Sequence, residues 1–169
     1  MDDDVFDSLM ASLDSPLAIV TTAAEGQRAG CLIGFHSQAG ITEQRYCVWL
    51  SKANHTYRVA LRATHLAVHY LTADDLELAE RFGTRTGEDG DKFDGLEVEP
   101  SASGVPLLAA LPNRVALERI ALLDDGSDHV CITCRVVSAE SSGAFTPLRL
   151  SDADHLEPGH ESDERAVQP

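Results

Sequence analysis

The sequence predicts a mainly β fold, a small closed β-barrel accompanied by three short helices. About six runs along the chain are rich in β-branched and other apolar residues, which is typical of strands. Turn-forming residues separate several of these runs, and the helical patterns between them are short. Closure into a barrel removes the unpaired edges that an open sheet would expose.

The elements follow in chain order. Apolar residues at helical spacing predict an N-terminal helix, with acidic residues in its first turn where the helix dipole favours them. Asn54 is a suitable N-cap for a second helix, and Gly83 is a suitable end for a third. The predicted strands cover 17–22, 29–36, 46–50, 66–71, about 113–123 and about 129–139, with a hairpin turn at 25–27, helices over about 55–63 and 74–82, and a loop over 84–104.

The chain of 169 residues is long enough for one domain with a single core. Its 13 Lys and Arg against 28 Asp and Glu give a net charge of −15, of which residues 1–15 and 151–169 carry −5 each. We therefore predict an N-terminal helix over 1–12, a barrel domain over 13–150 and an acidic, disordered tail over 151–169. The acidic N-terminus is unlike a signal peptide and no apolar run spans a bilayer, so we expect a cytoplasmic protein that binds neither nucleic acid nor membrane.

Two pairs of residues that could bind a metal are better explained by structural roles in strands. Cys131 and Cys134 form a C-I-T-C motif, but they lie in a strand-like run, where positions three apart face opposite ways. His65 and His69 share a strand face without a third ligand nearby. We predict no metal site.

The informative stretch is 26–65, where five basic residues oppose one acidic residue. It also contains Ser37, Ser51, Lys52, Asn54 and Thr56, and such donors, with a cation and a helix N-terminus, suit a phosphate group. The alternative is that the basic residues form an ordinary solvated face. Composition alone does not separate these interpretations.

An ordered set of motifs carries a family resemblance. Residues 30–38 have the sequence GCLIGFHSQ and 48–56 the sequence VWLSKANHT. These segments resemble the flavin reductase-like, FMN-binding split β-barrel family. Further similar segments follow in the same order: HLAVHYL at 65–71, LAERF at 78–82, DKFDG at 91–95, GVPLL at 104–108, SDH at 127–129 and PLR at 147–149.

The resemblance implies a Greek-key split barrel that forms a homodimer with FMN, or less often FAD, at the interface. The implied activity is that of an NAD(P)H:flavin oxidoreductase, with reduced flavin leaving for a partner monooxygenase or reducing a substrate in place. His129 would lie near the flavin and the nicotinamide, and it is the expected catalytic residue. The resemblance implies cofactor contacts from Ile33, Gly34 and Phe35 along the ring edge and from His36, Ser37, Gln38, Ser51, Lys52, Asn54 and Thr56 around the ribityl chain and phosphate.

The sequence also departs from the family pattern. Leu32 and Gly34 replace hydroxyl residues, Gln38 replaces a serine, and Glu43-Gln44 replaces a Pro-Pro pair. These changes leave two alternatives open. One is a flavin- or deazaflavin-binding protein without turnover. The other is a split barrel that binds haem or another small molecule, in which His65 or His69 would matter.

Overall fold

The computed structural model describes residues 3–87 and 90–157. Its strands form one curled, seven-stranded antiparallel sheet and a small two-stranded sheet, with helices packed outside. The elements are α1 (Asp3–Leu13), β1 (Ala18–Ala24), β2 (Gln27–Ile33), β3 (His36–Gly40), β4 (Arg45–Ser51), α2 (His55–Ala60), β5 (His65–Tyr70), α3 (Leu76–Thr84), β6 (Val98–Pro100), β7 (Pro106–Leu108), β8 (Arg114–Leu123) and β9 (His129–Glu140), with 3₁₀ turns at Ala73–Asp75 and Leu150–Ala153.

The large sheet has the strand order β2-β1-β5-β8-β9-β4-β3, which confirms the mainly β, split-barrel prediction. The expected closure by strand pairing is not found among the described strands, because β2 and β3 stand at the two ends of this order. Gly34 and Phe35 alone link them, so the run predicted as one strand over 29–36 is broken there. The chain thus crosses from one edge of the sheet to the other in two residues.

Apolar residues from both ends of the sheet fill the barrel interior. Val20 of β1, Val48 of β4 and Ile132 of β9 belong to one buried cluster that also receives Ala60 of α2. A second cluster lies outside β1, where Phe82 of α3 packs with residues of the C-terminal segment. Strand β1 is therefore buried on both faces, which fits its nearly continuous apolar sequence.

The hairpin between β1 and β2 follows from its turn residues. Glu25 and Gly26 both have positive φ, 51° and 76°, and Ala24 pairs with Gln27. A two-residue loop of this kind matches the twist of the flanking strands. The turn predicted at 25–27 is confirmed.

Several elements differ from the expectation. The loop predicted over 84–104 contains β6, and β7 follows at Pro106; both are three-residue strands that give little sequence signal. Helix α3 continues through Gly83 to Thr84. A Cβ at Gly83 would lie 2.9 Å from Cδ2 of Leu32, so this glycine serves close packing instead of ending the helix.

The N-terminal helix and the segment that follows residue 150 also differ in detail from the prediction. The helix predicted over 1–12 corresponds to α1, Asp3–Leu13, and all five of its large apolar side chains are exposed. The 3₁₀ turn at Leu150–Ala153 buries Ala153, so order extends past the boundary predicted at residue 150. The remainder of the predicted acidic tail, 158–169, lies outside the described residues.

A partly buried chain of hydrogen-bonded polar side chains ties strands from opposite parts of the sheet together. Nε2 of His36 donates to the carbonyl oxygen of Pro16 at 2.8 Å, so Nδ1 accepts from the Tyr46 hydroxyl at 2.6 Å. The Tyr46 hydroxyl is also hydrogen-bonded to Tyr70, and burial raises the pKa of both tyrosines. Burial also lowers the pKa of His36. These contacts join β3, β4 and β5.

Candidate functional site

Strands β4 and β9 pair antiparallel, and alternate residues of each point away from the barrel core. Tyr46, Val48 and Leu50 contact the core, as do Ile132 and Cys134. Directly paired residues of two strands lie on the same face of the sheet. The residues that alternate with these core residues therefore pair with one another on the opposite, outward surface, which we call the outer β4–β9 face. Its pairs are Arg45 with Arg135, Cys47 with Thr133, Trp49 with Cys131, and Ser51 with His129.

An aromatic contact marks one end of the outer β4–β9 face. The backbone N–H of Trp49 donates to the carbonyl oxygen of Phe35 at 3.0 Å, which holds the link between β2 and β3 beside β4. The Phe35 ring then lies 5.2 Å from the His129 ring in an edge-on arrangement. Phe35 remains 60% exposed, so a wide aromatic surface is available there.

Asp128 orients His129. Nδ1 of His129 donates to Oδ1 of Asp128 at 3.0 Å, and this hydrogen bond lowers the pKa of Asp128. The contact fixes the ring so that Nε2 is the nitrogen that can meet a ligand. The arrangement can donate or accept one proton, or balance a negative charge that develops beside the ring.

Lys52 adds a cation next to this end of the face. Its backbone N–H donates to the carbonyl oxygen of Asp128 at 2.9 Å, and its Nζ contacts Oδ1 of Asp124 at 2.8 Å. The Lys52 side chain is only 15% exposed, and its ammonium lowers the pKa of Asp124. An anionic ligand would have to compete with Asp124 for this ammonium.

The structure does not place Asn54 and Thr56 as open phosphate donors. Oδ1 of Asn54 accepts from the backbone N–H of Thr56 at 3.0 Å, which confirms Asn54 as the N-cap of α2. Thr56 is 1% exposed, and its side chain is hydrogen-bonded to the Cys31 thiol, whose pKa is raised by burial. Both side chains therefore serve the local fold.

The predicted residues of the β2–β3 region divide between two faces. Ile33 and His36 point into the barrel, whereas Gly34 and Phe35 form the link at the sheet's open seam. A Cβ at Gly34 would meet only Cδ2 of Leu17, at 3.6 Å, so this position has room for a side chain.

Ser37 and Gln38 are exposed on β3, away from Ser51. Ser37 pairs with Cys47, four residues before Ser51 on β4, which corresponds to about 13 Å along the strand. Their side chains bond locally, Oγ of Ser37 to the carbonyl oxygen of Gln38 and Nε2 of Gln38 to that of Gly40. The structure thus brings Phe35, Ser51, Lys52 and His129 together, and leaves Ser37 and Gln38 farther along the same sheet.

The geometry bears on the cysteine pair and on His69. Cys134 is in the core while Cys131 faces outward, as predicted for positions three apart on a strand. His69 is buried, its Nδ1 donating to the carbonyl oxygen of Ile19 and its Nε2 accepting from the N–H of Leu108. The haem alternative through His69 therefore loses its ligand atom. Residues 3–87 and 90–157 contain no cluster of three or more metal-ligating side chains.

Sequence reasoning missed Asp124, Asp128 and Trp49. The two aspartates lie in the β8–β9 turn region, where acidic residues have a backbone explanation and so gave no separate signal. Trp49 lies half-buried on the outer β4–β9 face, where it pairs with Cys131. Strict alternation from Val48 could have revealed this.

No helix in the described part of the chain is long and apolar enough to cross a membrane. The flavin reductase like domain model matches residues 10–154 of the chain. The ferric-chelate reductase (NAD(P)H) of Archaeoglobus fulgidus is 27% identical over 125 residues, which cover 73% of this chain and 74% of that protein. The FMN reductase (NADH) SmoA of Agrobacterium fabrum is 36% identical over 89 residues, 53% of this chain but only 48% of that protein.

Among solved structures, a nitrilotriacetate monooxygenase component B from Mycobacterium thermoresistibile has a TM-score of 0.75 at 20% identity. The superposition covers 88% of this chain and 80% of that one. At this identity the likeness supports the fold.

Proposed function

The chain belongs to the flavin reductase like family, and we propose that its outer β4–β9 face is the flavin site of an NAD(P)H-dependent flavin oxidoreductase. The observation that carries this proposal is the contact between the exposed Phe35 ring and the His129 ring, with Lys52 beside them. It offers an aromatic surface, an orientable imidazole and a cation on one side of the sheet. A flat ring with a phosphate-bearing chain fits such a surface.

Each residue has a defined part in this proposal. Phe35 and the backbone of Gly34 contact the ring system, Ser51 and Lys52 contact the polar chain, and His129 orients the nicotinamide or balances the charge of the reduced ring. Bound flavin supplies the redox chemistry, accepting a hydride from the nicotinamide. Asp128 keeps His129 in one tautomer throughout, since its carboxylate accepts from Nδ1.

The hydrogen bonds that Asn54 and Thr56 make within the protein affect the expected affinity for FMN. Because both side chains are engaged within the protein, fewer donors are available to a phosphate than the family pattern implies. We therefore propose that FMN binds weakly and exchanges, as a diffusible substrate does. The component B structure of the Mycobacterium protein supports a monooxygenase as the recipient of reduced flavin.

We also propose a homodimer that works in the cytoplasm. Helix α1 leaves its large apolar side chains between 41% and 69% exposed, a surface that an isolated chain in water rarely keeps. An 11-residue helix is marginally stable alone, so contact with a second subunit would stabilise it. The α1 residues concerned are Val5, Phe6, Leu9, Met10 and Leu13.

The experiment is NAD(P)H oxidation with and without added FMN, FAD or a deazaflavin, together with flavin binding followed by fluorescence. We expect oxidation that requires FMN and a His129→Ala variant that binds FMN but turns over at least tenfold more slowly. The turnover of an Asp128→Asn variant should lie between that of wild type and that of His129→Ala. Flavin binding without oxidation would indicate a carrier, and no flavin binding at micromolar concentrations would refute the proposal.

A further inference from the structure

Two arginines face each other at the end of the outer β4–β9 face opposite to Phe35. Arg45 and Arg135 are direct register partners in the antiparallel β4–β9 ladder. Gly40 of β3 pairs with Arg45, and a Cβ at Gly40 would lie 2.9 Å from Cγ of Arg45. The same Cβ would lie 2.5 Å from the backbone carbonyl oxygen of Glu43, so a glycine at position 40 is needed for the close approach of both the turn backbone and the Arg45 stem.

Like charges directly across a sheet are unfavourable unless something compensates them. Here Glu43 pairs with Arg45, and Glu118 pairs with Arg135. Exposed ion pairs of this kind contribute little stability. A phosphate, which binds arginine strongly, can therefore compete with each carboxylate for its guanidinium group. The register thus places two arginines side by side, and within the described residues neither guanidinium group has a buried partner.

The arginines border an open cleft. The cleft has a volume of about 540 Å³. Its lining includes Thr42, whose hydroxyl can donate, and Gln44, whose side-chain amide can donate. The other lining residues are Glu43, Arg45, Arg135 and Val136. Planar guanidinium groups bind phosphate oxygens bidentately, so the cleft has the chemistry of a phosphate site.

The position of the cleft indicates which phosphate it would take. Arg45 and Ser51 lie six residues apart on one strand face, a separation of about 20 Å. Trp49 lies between them on that face. A ligand with its reacting ring at Phe35 and His129 would reach the arginines only with a distant second half. Dinucleotides have such a half, an adenosine that carries phosphate.

We propose that Arg45 and Arg135 form a phosphate subsite for the adenosine half of a dinucleotide, NADPH or FAD. The inference rests on the proposed function for the choice of ligand, whereas the anion-binding chemistry rests on the arginine pair itself. Glu43 and Glu118 occupy the guanidinium groups until the ligand's phosphate replaces them. The subsite makes the chain prefer NADPH over NADH when the 2′-phosphate occupies it, or FAD over FMN when the adenosine half of the flavin does.

The test begins with a probe that needs no flavin, adenosine 2′,5′-bisphosphate, titrated calorimetrically into the full-length protein. We expect Arg135→Gln and Arg45→Gln to weaken binding at least tenfold, and Glu43→Gln to tighten it because a competing carboxylate is removed. Arg62→Gln is the matched control, since Arg62 pairs with Glu25 and does not line the cleft. Equal binding by wild type, Arg135→Gln and Arg45→Gln would overturn the proposal, and thermal unfolding of each variant checks the fold.

Steady-state kinetics then distinguish the two sources of phosphate. An NADPH subsite predicts that Arg135→Gln raises KM for NADPH at least fivefold and leaves KM for NADH unchanged. An FAD subsite predicts a loss of FAD affinity with FMN affinity unchanged. If neither changes while FMN-dependent oxidation persists, the subsite is refuted and the proposed function stands. If wild type binds no FMN, the proposed function fails and the bisphosphate titration still decides the anion site.

Discussion

Nζ of Lys92 donates to the backbone carbonyl oxygen of Phe82 at 2.9 Å, and the same ammonium reaches the carbonyl oxygen of Gly30 at 3.1 Å. Lys92 is buried, and burial lowers its pKa. The side chain therefore fastens the end of α3 to β2 through backbone groups. Phe82 also contacts this ammonium with its ring, whose centroid is 5.9 Å away.

Replacement of Lys92 by methionine is expected to lower the free energy of unfolding by about 2 kcal/mol, because two buried carbonyl groups lose their donor. Urea unfolding at neutral pH measures the change. Arg62→Met, which removes an exposed cation, should stay within about 0.5 kcal/mol of wild type. Equal effects of the two variants would show that the Lys92 contacts do not matter for stability.

His69 predicts a loss of stability in acid. Burial lowers its pKa to about 4, whereas an unfolded histidine titrates near 6.5. Between these values the unfolded chain binds more protons, so stability falls as the pH is lowered from 6.5 to 4, by up to about 3 kcal/mol. Urea unfolding across this range, with an NMR titration of the imidazole, tests the link. An imidazole that titrates near 6.5 in the folded protein would contradict it.

Gly34→Ser should strengthen FMN binding severalfold without loss of stability. The added Cβ meets only Cδ2 of Leu17 at an ordinary 3.6 Å, and the hydroxyl restores a donor that the family pattern has. Flavin fluorescence quenching measures the affinity. Gly30→Ser is the contrasting variant, since its Cβ would lie 2.9 Å from the Phe82 ring and 3.1 Å from the carbonyl oxygen of Val20. If Gly34→Ser leaves affinity unchanged, the ring does not pass this backbone.

Substitutions of Lys52 and Thr56 are expected to have different effects, one on FMN binding and the other on stability. Lys52→Ala should weaken FMN binding at least fivefold while the melting temperature stays close to that of wild type. Thr56→Ala should lower stability by about 1 kcal/mol, because a buried hydrogen bond to Cys31 is lost, and should change FMN affinity little. The reverse pattern, a binding defect in Thr56→Ala alone, would place the phosphate at the start of α2.

The exposed apolar side of α1 predicts a sensitive position at Leu9, which is 57% exposed. Leu9→Asp should shift the protein from the proposed dimer to a monomer in light scattering coupled to size exclusion. Ser8→Asp adds the same charge at the neighbouring exposed position and should leave the dimer intact. A monomeric wild type, or a dimeric Leu9→Asp, would mean that α1 does not contribute to association.

Local patterns predicted the fold better than they predicted the breaks in it. Glu25 and Gly26 set the hairpin directly, and the β-branched run of β9 is long enough to be unmistakable. Strand β3 was missed because its sequence HSQAG lacks β-branched residues, and its pairing depends on β4. The break at Gly34 and Phe35 depends on how the two edges of the sheet approach each other. A short stretch of sequence carries no information about that approach.

The sequence predicted which types of residue form the candidate site better than it predicted the direction in which each side chain points. The Phe35 ring contacts the His129 ring, and the Lys52 backbone bonds Asp128 beside them; their contact with flavin stays a prediction. Thr56 and His36 turn inward because each finds a hydrogen-bond partner in the barrel, Cys31 for one and Tyr46 for the other. Such partners lie on other strands, so a linear motif cannot show which way the side chain points.

Ser51 and His129 are register partners although 78 positions separate them in the chain. Contacts between such distant positions form late, since the loop-closure entropy is overcome only after local hairpins exist. The β1–β2 hairpin can assemble early, but the two strands of the outer β4–β9 face, the proposed flavin site, cannot meet until β9 docks on β4. In refolding experiments, recovery of flavin binding should therefore trail the recovery of secondary structure and mark the last step toward the native chain.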